Sequence, residues 1–202
     1  MDNNIEIAKP LLKDSKNLAL LHKQGIPTGF LSKQPLWFLE ALYRYLISNE
    51  IVYVAKDSNK IIGFVAGSVN TQSLYKKFLK TNYLVLFRFM VKNIFSYQFI
   101  RKVYETFLAP KKTKIENDNL PELLSIVVDI DYYGKGIGRK LVNLLEKEFK
   151  SQGFDKYKVI VGDSLEANKF YKSLGFKLYK KIELHKGDIS NIYIKNLGDL
   201  NG

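Results

Sequence analysis

Cysteine is absent from this chain of 202 residues, and histidine occurs only twice, as His22 and His185. Without cysteine the chain can form neither a disulfide framework nor a thiol nucleophile. Two histidines so far apart in the sequence do not suggest a zinc site, and we predict no metal cofactor. The first residues, Met1 to Glu6, are polar and acidic. They lack the basic and then apolar pattern of a signal peptide, so we expect a cytoplasmic protein.

Acidic residues are outnumbered by basic ones, 20 to 32, which gives a formal net charge of +12 at pH 7. A hydrophobic content of 46% argues against disorder, because such a chain can bury a substantial core. The sequence has neither an internal repeat nor a low-complexity linker. Its length therefore favours a single domain over residues 1–202.

The positive charge is concentrated in residues 71–119, which carry more than half of the net excess. This segment is also rich in aromatic residues, and we predict that most of it forms short helices. It could be a wall of the acceptor site, a surface for an anionic partner, an interfacial membrane element or simply a solvated helical cover. We predict no transmembrane segment, because Arg88 and Lys92 interrupt the apolar stretch 83–100.

A glycine loop between a strand and a helix is the most informative local pattern. Residues 123–128 form a short apolar run that indicates a buried strand, and the spacing of apolar residues from Ile137 to Phe149 indicates a helix. Between them lies the loop Gly134 to Gly138. Glycines before a helix start let an anion approach unpaired backbone N–H groups. The spacing fits neither the mononucleotide loop G-x-x-x-x-G-K-[ST] nor the dinucleotide fingerprint G-x-G-x-x-G.

Two motifs in this order resemble the GNAT superfamily of acetyl-coenzyme A-dependent N-acetyltransferases. The run from Ser125 to Leu141, SIVVDIDYYGKGIGRKL, is similar to the acetyl-coenzyme A motif of that family. Ala167 to Tyr171, followed by Leu174 to Phe176, resembles its downstream helix and the strand after it. The resemblance implies an α/β (α+β) fold with a central mixed, mostly antiparallel sheet of about seven strands flanked by helices. The basic segment 71–119 would be a helical insert between the third and fourth strands.

The same resemblance implies how acetyl-coenzyme A, the acetyl donor, is held. Backbone groups of Ile126 and Val128 would pair with the pantetheine arm as if it were another strand. The pyrophosphate would bind N–H groups at the helix start, where anions are favoured. The implied cofactor-binding residues are Ile126, Val127, Val128, Tyr133, Gly134, Lys135, Gly136, Ile137, Gly138, Arg139, Ser164, Asn168 and Tyr171.

Two positions depart from the family pattern. The family usually has Gln or Arg where this chain has Tyr133, and Asn where it has Ser164. Tyr133 can still offer its backbone to a phosphate, and Ser164 keeps a shorter hydrogen-bonding group. Asn168, one helical turn before Tyr171, can face the same side of its helix or simply be a surface residue.

Acetyl transfer to an amine needs a proton acceptor, because a lysine-like amine has a pKa of about 10.4, and it needs a proton donor for the leaving thiolate. Glu122 matches by position the glutamate that acts as base in one branch of the family, although it can equally be a solvated acid after Pro121. Tyr171 matches the family's tyrosine and would be the general acid. A backbone N–H near Val128 would hold the oxyanion. His185 can face the acceptor or be an ordinary surface residue.

We therefore predict an N-acetyltransferase that moves acetyl to a primary amine by direct attack, with no acyl-enzyme intermediate. The acceptor can be a small molecule or a protein amine, and the positive charge would suit an anionic one. The loop Gly25 to Gln34 and the insert would line its site. The alternative is a basic RNA- or ribosome-associated binding module with a degenerate cofactor site, although nucleic acid is the less favoured partner. The sequence leaves open whether the protein forms a homodimer.

Overall fold

The computed structural model describes residues 5–28, 31–84, 87, 120–185 and 188–198. Within them, seven strands form a mixed sheet. In chain order the elements are β1 Ile5–Ala8, α1 Ser15–Gly25, α2 Leu36–Asn49, β2 Ile51–Asp57, β3 Lys60–Ser68, α3 Thr71–Thr81, β4 Glu122–Val128, α4 Ile137–Ser151, β5 Lys156–Gly162, α5 Ala167–Ser173, β6 Lys177–His185 and β7 Asp188–Asn196. The strand order is β1-β2-β3-β4-β5-β7-β6. β4 and β5 are parallel, whereas the pairs β1–β2, β2–β3, β5–β7 and β6–β7 are antiparallel.

The described chain divides into two compact units. The first unit combines residues 1–67 with residues 124–148, and the second combines residues 68–123 with residues 149–202. The division passes through β4, whose first two residues belong to the second unit.

In the first unit, α1 and α2 contact each other and supply much of the core. Its fully buried side chains include Leu18, Phe38, Leu39, Val54 and Phe64. The helix α2 begins directly after Pro35, because the proline ring fixes φ near a helical value and offers no N–H to satisfy. β2 and β3 form an antiparallel hairpin, with Ser58 in the turn at a φ of 55°.

In the second unit, aromatic side chains form the centre of the core. The ring of Tyr157 on β5 lies 5.3 Å from that of Phe149 and 5.1 Å from that of Phe176. Helix α3 buries Leu74 and Phe78 on one face. Its first turn is capped by Asn70, whose side-chain oxygen accepts a hydrogen bond from the backbone N–H of Ser73 at 2.9 Å.

The basic segment is only partly within the described residues. Helix α3 is its first part, and residues 83, 84 and 87 are also helical. Residues 85, 86 and 88–119 lie outside what the structure describes, so the helical insert and the single domain over 1–202 stay predictions. No helix within the described ranges combines the length and the apolar character needed to cross a bilayer.

Candidate active site

The strand β4 offers one of its two edges for binding. The backbone N–H of Asp129, just after β4, donates to the carbonyl oxygen of Ile62 in β3 at 2.7 Å. Because successive residues of a strand direct their backbone groups to opposite edges, Ile126 and Val128 direct theirs away from β3. The parallel ladder with β5 pairs only the first two residues of β4 with Lys158 and Val159. In the described part of the chain, the backbone groups of Ile126 and Val128 are therefore not used by either ladder.

The glycine loop adopts a conformation that only glycine takes without strain. Gly134 has a φ of 77° and Gly136 a φ of 73°, and a Cβ added at either residue would meet no atom within 4 Å. The helix α4 begins at Ile137, and its first hydrogen bond runs from the N–H of Lys140 to the carbonyl of Gly136 at 3.1 Å. No acceptor within the described ranges receives the N–H groups of residues 134–139. Open space and unpaired donors at a helix start make this loop a cradle for an anion.

Polar contacts hold the loop's N-terminal side in place. The hydroxyl of Tyr132 donates to Asp57 at 2.7 Å, and the ammonium of Lys135 lies 4.5 Å from the centre of the Tyr132 ring. Lys60 donates to Asp129 at 2.9 Å, and this hydrogen bond lowers the pKa of the Asp129 carboxyl. Tyr133 differs from these residues, because its side chain is 62% exposed.

Tyr171 lies in α5 of the second unit with its side chain buried. Its ring lies 5.5 Å from that of Phe170 and 5.4 Å from that of Phe176, both edge to face. Burial raises the pKa of the Tyr171 phenol, so the hydroxyl stays protonated at neutral pH. Among the described residues no hydrogen bond engages this hydroxyl, which leaves its proton available to another group.

Asn168 faces the interior of the second unit, where it closes the turn before α5. Its side-chain nitrogen lies within hydrogen-bond distance of the carbonyl oxygens of Gly162, Asp163 and Leu165, at 2.9, 3.0 and 2.6 Å. Its side-chain oxygen accepts from Asn191 at 2.9 Å. These bonds give Asn168 a structural role, and its contact with a cofactor stays a prediction. Ser164 lies exposed in the same turn.

Glu122 is buried at the start of β4. One of its carboxylate oxygens accepts a hydrogen bond from the hydroxyl of Thr71 at 3.1 Å and lies 3.9 Å from the ammonium of Lys158. Lys158 is itself almost fully buried on β5. The interpretation of Glu122 as a solvated acid does not fit this environment. A buried ammonium and a hydroxyl donor therefore both lie against the Glu122 carboxylate.

Sequence reasoning did not single out Lys158, nor a buried chain of hydrogen bonds through His22, Tyr43 and Ser125. Lys158 sits inside a buried apolar strand, and a lysine there signals a buried acidic partner. His185 ends β6, and its side chain lies outside what the structure describes. Among the described residues, no group of three or more His, Asp or Glu side chains is arranged to hold a metal ion.

The site residues thus fall into a backbone part in the first unit and a side-chain part in the second. Comparisons with known proteins indicate the family of the chain. Residues 67–188 match the family described as the acetyltransferase (GNAT) domain. An uncharacterised acetyltransferase from Streptococcus pyogenes is 34% identical over 91 residues, which cover 45% of this chain and 57% of that protein. The chain thus spans a little over half the length of the curated relatives it matches.

Solved structures share the fold at low sequence identity. An N-acetyltransferase from Staphylococcus aureus Mu50 has a TM-score of 0.63 and 20% identity, covering 94% of this chain and 100% of that one. The PaiA N-acetyltransferase from Thermoplasma acidophilum, solved in complex with coenzyme A, has a TM-score of 0.55 and 17% identity, covering 96% and 99%. The predicted fold class is confirmed. Because the family match covers more than half of the sequence, including the glycine loop and α5, the chain belongs to the GNAT acetyltransferase family.

Proposed function

We propose that this protein is an N-acetyltransferase that transfers acetyl from acetyl-coenzyme A to a primary amine by direct attack. The observation that supports the donor most strongly is the cradle at Gly134 to Arg139, with its unpaired N–H groups at the start of α4. The unused backbone edge at Ile126 and Val128 supports pairing with an extended pantetheine arm. The coenzyme A bound to the Thermoplasma acidophilum neighbour is consistent with this donor.

In the proposed reaction, Glu122 accepts the proton that the amine loses, directly or through water. The amine nitrogen then forms a bond to the thioester carbon, the carbon–sulfur bond breaks, and the thiolate takes a proton from the Tyr171 hydroxyl. The nitrogen loses its second proton as the amide forms, and this proton returns to the Tyr171 oxygen, directly or through water. The oxyanion that develops is held by a backbone N–H near Val128. A direct attack agrees with the absence of cysteine from the chain.

The acceptor is proposed only at the level of its chemistry, an amine on a molecule that carries negative charge. Lys76, Lys77 and Lys80 are exposed on one side of α3, opposite the buried Leu74 and Phe78. Together with the net charge of +12 they would attract an anionic acceptor. This proposal covers both a small molecule and a protein amine.

The donor site is tested by calorimetric titration of the protein with coenzyme A and by the variant Gly136→Ala. A matched control is Gly153→Ala, because Gly153 also has a positive φ, 85°, and open space around its added Cβ. Both variants carry the backbone strain of a non-glycine residue at positive φ. Only Gly136→Ala adds a methyl group to the anion cradle, so we expect it to weaken coenzyme A binding at least about tenfold relative to the control.

Two results would overturn the proposed function. The first is a wild-type protein that neither binds coenzyme A nor hydrolyses or transfers the acetyl group with any amine of a broad panel. The second is equal coenzyme A affinity in Gly136→Ala and Gly153→Ala. Retention of RNA that falls steeply with salt, together with an absence of coenzyme A binding, would instead favour the RNA-associated binding module.

A further inference from the structure

A buried chain of hydrogen bonds connects the segment after α1 to the strand β4. The Oγ of Ser32 lies 3.3 Å from Nε2 of His22, Nδ1 of His22 lies 2.7 Å from the hydroxyl of Tyr43, and that hydroxyl lies 3.3 Å from the Oγ of Ser125. All four side chains are at least nine-tenths buried. All four residues of this hydrogen-bond chain belong to the first unit.

The donor and the acceptor of every hydrogen bond in this chain follow from the position of Ser32 at one end of it. The Oγ of Ser32 also lies 3.1 Å from the backbone carbonyl of Thr28, which can only accept, so Ser32 donates there. Burial lowers the pKa of His22 to about 4, with a smaller effect from Lys23, so its ring is neutral and has one N–H. That N–H is therefore on Nε2 and donates to Ser32. Tyr43 then donates to Nδ1 of His22, and Ser125 donates to Tyr43.

Such a chain of hydrogen bonds fixes the positions of its side chains, since each side chain can make its hydrogen bonds in only one orientation. It does not carry a proton to a substrate, because it ends on the Thr28 carbonyl. A second contact holds the segment after α1: the ammonium of Lys23 donates to the carbonyl oxygens of Ser32 at 2.9 Å and Gln34 at 2.7 Å.

The chain reaches β4 next to its binding edge. Ser125 and Val127 have their side chains on the buried face of β4, whereas Ile126 and Val128 are half-buried. The last residue of α1, Gly25, packs so closely on Val127 that an added Cβ would lie 2.3 Å from its Cγ1. Two consecutive inward-facing residues of β4 are thus contacted by Tyr43 of α2 and by the end of α1.

We propose that Tyr43 and His22 are positioning residues for donor binding: through Ser125 they set the backbone of Ile126 and Val128 at the spacing that an added extended chain needs. The inference rests on the proposed function, because it assumes that acetyl-coenzyme A pairs with this edge. It adds a determinant of affinity that lies behind the strand and touches no part of the ligand.

The test compares Tyr43→Phe with Tyr53→Phe by titration with coenzyme A and by thermal unfolding. Tyr53 is a control in the same unit, since its hydroxyl also donates to a side chain, that of Glu148, and lies away from β4. We expect Tyr43→Phe to weaken coenzyme A binding about tenfold, because β4 loses its support, and Tyr53→Phe to leave the affinity within about twofold at a similar loss of thermal stability.

Ser125→Ala removes the hydrogen bond between Ser125 and Tyr43 by changing the strand residue, and it creates no large cavity. This variant tests the positioning role if Tyr43→Phe does not fold. Its effect on affinity should equal that of Tyr43→Phe, and the double variant should bind no more weakly than the weaker single variant, because both act through one contact. Amide hydrogen exchange at Ile126 and Val128 on adding coenzyme A should slow less in the variants than in the wild type.

The failures of the two proposals are distinguishable. If the wild-type protein does not bind coenzyme A, the proposed function fails. If the wild type binds and Tyr43→Phe and Ser125→Ala bind equally well, only the positioning role fails. It also fails if Tyr53→Phe weakens binding as much as Tyr43→Phe, because affinity would then simply follow stability.

Discussion

At the glycine loop the groups available for binding are backbone N–H groups, whereas around Glu122 they are side chains that already have partners. The loop between Gly134 and Arg139 presents its donors to open space. Glu122 is held by Thr71 and Lys158 in the interior. The difference suggests that side-chain changes at the loop have small effects unless they alter the backbone, while changes at the buried cluster alter stability and chemistry together.

The largest effect is expected for Glu122→Gln. Removing the carboxylate breaks the ion pair with the buried ammonium of Lys158, which should lower the free energy of unfolding by about 3–5 kcal/mol. Urea unfolding measures this loss. The double variant Glu122→Gln with Lys158→Met should recover most of the stability.

The double variant also separates a base from a purely structural acid. If Glu122 is the base, the double variant is stable and still inactive toward amines at neutral pH. Recovery of activity along with stability would show that the carboxylate serves only to pair with Lys158.

Acid should destabilise the protein through His22. Its pKa is lowered to about 4 in the folded protein, against about 6.5 when unfolded. A neutral buried histidine stabilises the fold above the unfolded value, and this contribution is lost as the pH falls from about 6.5 through about 4. The loss should total about 3 kcal/mol at the low end. Urea unfolding of wild type and His22→Gln across this range should show a flatter pH dependence in the variant. Identical slopes would contradict the prediction.

Tyr171→Phe should lower kcat about a hundredfold and leave coenzyme A affinity nearly unchanged. General acids contribute roughly a hundredfold to ten-thousandfold, and the lower end applies because a thiolate with a pKa of about 8.5 is a good leaving group. Tyr193→Phe is the matched control, since Tyr193 is a buried tyrosine of the same unit outside the proposed site. An unchanged kcat in Tyr171→Phe across pH would remove it as the acid.

The smallest effect is expected for Tyr133→Ala. Its side chain is mostly exposed, and substitutions at such positions usually change free energies by about 0.5 kcal/mol or less, or roughly twofold in affinity. Titration with coenzyme A measures this. A loss of tenfold or more would mean that the phosphate loop uses side chains, and the contrast with the buried cluster would no longer hold.

The fold could be predicted because two motifs resemble those of a known family, and the glycine loop because its pattern is local. Apolar spacing from Ile137 to Phe149 indicated the helix α4, and the glycines before Ile137 indicated a helix start with open N–H groups. Contacts across the chain leave no such pattern. Nothing near Glu122 in the sequence points to Thr71 or Lys158, and the link from His22 to Ser125 depends on how two helices pack against a strand.

The edge of β4 at Ile126 and Val128 has a consequence for the protein without its donor. A stretch of strand with unpaired N–H and carbonyl groups can accept any extended peptide, which is the hazard that edge strands present for self-association. Coenzyme A bound along this edge would therefore protect the protein against aggregation. Protein purified without coenzyme A should aggregate faster on concentration than protein that carries it, even under conditions where no acceptor is present and no reaction occurs.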